Sequence, residues 1–210
     1  MNIMHPAVRI PKIFTLFFCL VFIPVATAVS EEKAPPQTLQ PAESKPIEYV
    51  EVVIADGLTK DQLYSAALAW FGETFRSAKN VIEVQDREAG RIIAKPLFQY
   101  EPTIFMASAR IRGVVRYNVT VEEKDGRYRY TIDGFVHEGS RCDIGSPLSF
   151  GLLTTEKECP VSFGWGDGPS SSGKQETWEH LKSCAKNESD KLIASLKSRM
   201  ARPATKTDNW

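Results

Sequence analysis

Histidine and cysteine are scarce in this chain: three histidines and four cysteines in 210 residues. So few ligating side chains exclude cysteine-rich disulfide scaffolds, multi-zinc modules and His-rich metal carriers. An excess of either charge is also lacking, with 26 basic and 26 acidic residues. That balance gives no electrostatic footprint for nucleic acid or for an anionic membrane surface. Long apolar runs are absent save one, close to the N-terminus.

That run has the order of a secretory signal peptide. Arg9 and Lys12 precede an apolar stretch from Ile13 to Val25, and Ala26-Thr27-Ala28 supplies the small residues a signal peptidase reads. Cleavage is expected after Ala28, which makes the mature protein exported, periplasmic or secreted. The stretch is shorter than the roughly 20 residues a spanning helix needs and carries Pro24, so no transmembrane segment is expected after processing. Cys19 follows Phe17-Phe18 rather than the small residues of a lipobox. Residues 29–46, with Pro35, Pro36, Pro41 and Pro46 among charges, cannot bury enough surface to offset their ordering entropy and read as a disordered tether. Residues 47–201 have the size of a single domain, and 202–210 read as a flexible tail.

Within the domain, Tyr49–Ile54 alternates as a strand does. Thr59-Lys60-Asp61-Gln62 has the form of a capping box, and Leu63, Ala67, Trp70, Phe71, Phe75 and Ala78 follow at helical spacing. Gly72 beside this stripe suggests a close approach of helix to sheet. Val81–Gln85 and Arg91–Tyr100 read as strands, the second broken or at an edge because of Pro96. A strand from Ala107 to Val121 should turn Ile111, Gly113, Val115, Tyr117, Val119 and Val121 one way and Arg110, Arg112 and Arg116 the other. Lys124-Asp125-Gly126-Arg127 is a hairpin signal, after which Tyr128, Tyr130, Ile132 and Val136 alternate. A long excursion, 138–174, precedes a final helix from about Gln175 to Met200. The expected fold class is α+β: a β-α-β-β-β-β-α sandwich with an antiparallel sheet and both helices on one face.

The stretches Leu63–Phe71, Val81–Asp86, Gly90–Lys95 and Asp125–Arg129 resemble a family of exported bacterial proteins, domain of unknown function 4468, with a TBP-like fold. The resemblance covers about residues 47–137 and implies the same order of elements. It implies no catalytic residues, and the fold's name alone does not license DNA binding.

The remaining chemistry is thin. Cys142 and Cys159, both in the excursion of an exported protein, are the expected disulfide; in the chain-entropy model a loop of this size is worth about 3 kcal/mol. Cys184 reads as a free thiol near the inner face of the last helix, with an intermolecular bridge as the alternative. His137, Cys142 and Cys159 are donors zinc accepts, yet their spacing fits no compact module and a fourth ligand is missing, so no metal is expected. Gly168–Lys174 has the spacing of a phosphate-binding loop, but Gln175 stands where Ser or Thr should hold magnesium. Ser140 and Ser146 lie near His137 without a nucleophile elbow, and His137 itself reads as a solvated group at a strand end. Glu122-Glu123 beside a turn reads as ordinary solvation. Asn118-Val119-Thr120 and Asn187-Glu188-Ser189 match glycosylation acceptors, a match by chance if the source is bacterial as the resemblance implies.

The expectation is therefore a non-enzymatic exported binding module without a cofactor. Its partner would be a lipophilic ligand or an envelope component, held by an apolar flap (Phe150, Phe163, Trp165) or by the groove between sheet and last helix. The alternative is a protein–protein or structural module using the open sheet face, where Arg110, Arg112, Arg116, Arg127 and Arg129 would line up. An enzyme of unrecognised chemistry is the third reading, since no residue constellation converges.

Overall fold

The computed structural model describes residues 44–103, 108–164 and 168–202. The predicted leader, most of the tether, Trp165 and the tail beyond Arg202 lie outside them. The element order is β1 (Tyr49–Ile54), α1 (Lys60–Thr74), α2 (Ala78–Val81), β2 (Ile82–Asp86), β3 (Arg91–Ala94), β4 (Leu97–Tyr100), α3 (Ser108–Ile111), β5 (Gly113–Lys124), β6 (Arg127–Gly139), β7 (Gly151–Leu152) and α4 (Ser171–Met200). The strands form one antiparallel sheet in the order β1-β6-β5-β3-β2, with β4 also on β5 and β7 also on β6.

Local chemistry explains most of these boundaries. Thr59 caps α1 in a reciprocal box: its hydroxyl accepts from the Gln62 amide, and its own amide donates to Gln62 Oε1 at 2.9 Å. The Lys60 amide donates to Asp125 Oδ1 at 2.7 Å, so the β5–β6 turn supplies a second cap from across the fold. Gly126 takes the positive φ, +74°, that this tight turn requires. The break between β3 and β4 falls at Lys95-Pro96, where proline cannot donate to a ladder.

Two expected boundaries shift, and one expected contact is not made. Helix α1 stops at Thr74, so Phe75 is its C-cap and Ala78 begins a separate turn. The fifth strand starts at Gly113 rather than Ala107, because Ser108–Ile111 coils into α3 and carries Arg110 off the sheet. Gly72 faces solvent, and a Cβ built there would meet nothing within 4 Å, so it serves no close approach.

The core fills the space between the sheet and the two long helices. Trp70 and Phe71 of α1, Trp178 and Leu181 of α4, Tyr117 of β5 and Phe135 of β6 are all buried. The Trp70 indole N–H donates to Ser195 Oγ at 2.9 Å, tying α1 to α4, and Tyr117 stacks on Phe135. Burying each such aromatic is worth about 1.5–3 kcal/mol.

Candidate functional site

Alternation carries Tyr128, Tyr130 and Ile132 of β6 inward, but then the phase changes. The register runs Asn118↔Asp133 and then Arg116↔Val136, so two residues of β6, Gly134 and Phe135, oppose Tyr117. This is a β-bulge with glycine at φ +65°. Asn118 Nδ2 donates to Asp133 Oδ1 at 2.8 Å beside it, and a Cβ on Gly134 would lie 2.5 Å from that nitrogen. Past the bulge, Phe135 and His137 point into the core and Val136 points out.

His137 is therefore not a solvated surface group; it is fully buried. Its Nδ1 accepts from the Phe150 amide at 3.0 Å, which places the ring proton on Nε2, and Nε2 donates to the Ile111 carbonyl at 2.9 Å. Burial holds its pKa below the ordinary histidine value and keeps the ring neutral. Both nitrogens are committed, so His137 has nothing left for Ser140, Ser146 or a metal. Among the described residues, no group of three metal-ligating side chains comes together.

Glu123 departs from expectation in the same way. It lies at the inward phase of β5, 1 % exposed, and neither carboxyl oxygen has a hydrogen-bond partner among the described residues. Desolvation pushes its pKa up to about 8, so it holds its proton at neutral pH. Its neighbour Glu122 points outward and pairs with Arg129. Adjacent residues of a strand face opposite sides, which is why one carboxylate is solvated and the other is not.

The structure holds Cys142, Cys159 and Cys184 as free cysteines and does not show the expected Cys142–Cys159 bond. Cys142 lies in a turn with its sulfur 3.5 Å from the Gly145 carbonyl, and Arg110 fastens that turn through the Ser146 carbonyl at 2.8 Å. The Cys159 amide instead donates to Gln175 of α4 at 2.9 Å. The two cysteines are anchored to different elements, with β7 docked on β6 between them. The excursion is mostly exposed but is pinned to the core by Leu148, Phe150 and Leu153 rather than hanging as a free flap. Phe150 is buried, Phe163 packs edge-on against it at 5.3 Å, and the Glu156 carbonyl accepts from Trp178 Nε1 and Lys182 Nζ. Trp165 lies outside the described residues.

Cys184 does have a neighbour that sequence spacing made legible and the sequence reading missed: His180, four residues earlier on α4. The thiol is 3.6 Å from His180 Nε2, and His180 Nδ1 is 3.1 Å from the Tyr100 hydroxyl. Burial raises the Cys184 pKa, so the sulfur stays a thiol instead of an activated nucleophile. The Gly168–Lys174 segment is no phosphate cradle either. The helix begins inside it at Ser171, and Ser170 Oγ caps it by accepting from the Gly173 amide.

The arginines divide. Arg112 pairs with Glu101, Arg116 with Glu138 and Arg129 with Glu122. Arg110 sits on α3, outside the strand row, and Arg127 lies at the β1 end of the sheet opposite Ile54. The outward positions of β1 hold Val50, Val52 and Ile54, which are 55 %, 55 % and 64 % exposed. A shallow recess of about 260 Å³, lined by Val52, Glu122, Lys124, Arg127, Tyr128 and Arg129, joins this apolar row to the charged one.

An antiparallel sheet covered by helices on one face and open on the other defines a TBP-like α+β protein. Residues 49–138 match the family model described as "Domain of unknown function (DUF4468) with TBP-like fold". Two crystal structures are similar in shape. One is a DUF4468 family protein from Bacteroides ovatus ATCC 8483, 14 % identical, with TM-score 0.49 over 77 % of this chain and 90 % of that one. The other is a TBP-like protein from Parabacteroides distasonis ATCC 8503, 11 % identical, with TM-score 0.46 over 72 % of this chain and 93 % of that one. No curated protein matches the chain.

Proposed function

We propose that the chain is an exported, non-enzymatic binding module of the cell envelope whose working surface is the open sheet face together with its β1 edge. The observation that carries this reading is the exposed row Val50, Val52 and Ile54 beside Arg127 and Arg129. A surface that sets apolar side chains next to charged ones suits a protein partner, with an apolar centre and a polar rim. A lipophilic ligand between sheet and last helix has less support, because Trp70, Trp178, Phe71 and Phe135 fill that space. The buried, neutral states of His137 and Glu123 and the protonated Cys184 supply no converging catalytic set. The leader supports export.

The test is photo-crosslinking in the exporting cell. A photoreactive residue would replace Thr120 in the middle of the open face, Val52 at its edge, or Ser183 on the exposed side of α4. Protein adducts from the sheet positions and none from Ser183 are expected. Adducts from Ser183 alone would overturn the reading. So would the absence of adducts combined with a small-molecule mass released when the purified native protein is denatured.

A further inference from the structure

The two edges of the sheet are finished differently. At β2 the outward residues are Glu83 and Gln85, Glu83 pairs with Lys95, and the β2–β3 register is broken by an irregularity between Ile82 and Val84. Charge and bulges of this kind discourage edge-to-edge pairing. At β1 there is no proline, no lysine, no arginine and no bulge, and β1 runs in unbroken register along β6.

The hydrogen-bonding phase of β1 follows from its end. The Ala55 amide donates to the Gly126 carbonyl at 2.9 Å, one step beyond the Ile54↔Arg127 pair. In an antiparallel ladder such residues alternate with ones whose amide and carbonyl point the other way. Glu51 and Val53 therefore bond to β6, and Val50, Val52 and Ile54 turn their backbone groups to the open edge. The same residues carry the exposed apolar side chains. Amides without a partner among the described residues and unburied side chains coincide on one short segment.

We propose that this edge seats the same edge of a second copy of the chain, antiparallel, about a two-fold axis through Val52. This rests on the reading of the open face and its edge as the working surface. In that register Val52 meets its own counterpart and Val50 meets Ile54, which uses every outward amide and carbonyl from Val50 to Ile54. On the helix side Glu51 meets Val53 and Tyr49 meets Ala55, so no like charges are opposed. Glu51 is moreover already matched within its own chain, 2.7 Å from Lys197 Nζ and hydrogen-bonded by the Tyr130 hydroxyl. Sliding the pair so that Glu51 faces Glu51 would oppose two carboxylates and forfeit edge bonds, which fixes the register. The chain's own preceding segment does not fit the seat: Pro35, Pro36 and Pro41 cannot donate to a ladder, and Pro46 is already bridged to Thr154. A six-residue strand buries less than the roughly 1,600 Å² of a standard interface, so the dimer belongs to the weak, concentration-dependent class.

The register is testable by oxidative cross-linking of the full chain with its native cysteines replaced by serine. V52C is expected to form a covalent dimer on its own. V50C and I54C are each expected to remain monomeric alone and to cross-link when mixed. Sedimentation of the unmodified chain should show dimer rising with concentration, and Val52→Lys should abolish it while circular dichroism stays unchanged. Equal self-cross-linking of V50C, V52C and I54C would mean random collision and overturn the proposal. So would a chain that sediments as monomer at every concentration. If the chain is monomeric while Thr120 and Val52 capture a different protein in the cell, the interaction surface stands and the second copy does not.

Discussion

The two faces of the sheet obey opposite rules. On the helix side every inward position of β5 and β6 is closed over, and even groups that prefer water are held there: neutral His137 between two backbone partners, and Glu123 with its proton and no partner. On the open side the strands present charge pairs such as Arg116–Glu138 and Arg129–Glu122, and toward β1 they present bare valine and isoleucine. Burial is tolerant of polarity where the fold demands a given register, and exposure is tolerant of apolar side chains where another surface can cover them. A polar residue inside and an apolar row outside are the informative observations in such a sheet.

The largest expected contrast comes from truncating one residue on each face. Trp178→Ala removes a fully buried indole and its bond to Glu156, and should cost about 3–5 kcal/mol in denaturant unfolding. Val52→Thr, at a position 55 % exposed, should stay within about 0.5 kcal/mol. Comparable losses at the two sites would mean that the outer row is packed in solution.

Next in size is the pH dependence set by the inner face. Glu123 ionises at about 4.5 when unfolded and at about 8 when folded, so its contribution is fully present below pH 4.5 and is lost as pH rises toward 8. His137 works in the opposite direction: its folded pKa is depressed, so stability falls as pH drops below the unfolded value of about 6.5. Glu123→Gln should flatten the alkaline slope of melting temperature between pH 4.5 and 8 and leave the acid slope in place. An unchanged alkaline slope would mean that Glu123 is ionised and solvated in the fold.

The smallest effects come from glycines. Gly134→Ala forces a side chain onto a positive φ and against Asn118, and should cost about 1–3 kcal/mol. Gly72→Ala, on the exposed side of α1 with open space around it, should stabilise by about 0.5–1 kcal/mol. Thermal melts of the two variants should move in opposite directions; the same sign for both would contradict the bulge, the exposed helix position, or both.

Much of the scaffold was legible because its signals are local. The Thr59–Gln62 box, the Asp125–Gly126 turn and the alternation along β5 each rest on residues a few places apart. The candidate surface was legible only in part. Alternation named Arg116 and Arg129 as outward, but Arg110 left the row when Ser108–Ile111 coiled. The apolar outer row of β1 is not legible in the sequence, because a strand rich in valine does not say which of its faces a helix will cover. His137 lies inside, against the simple alternation of its strand, because the bulge at Gly134 inverts the phase of the residues after it.

By itself, the sequence determined the order of the main strands and the two long helices, the helix cap and the tight turn, since propensity and periodicity act over short range. Tertiary structure decided which face of each strand is closed, that Glu123 keeps its proton and that β1 forms an open apolar edge. Those outcomes depend on which elements meet across the fold, and a single residue of register is enough to move a side chain from water into the core.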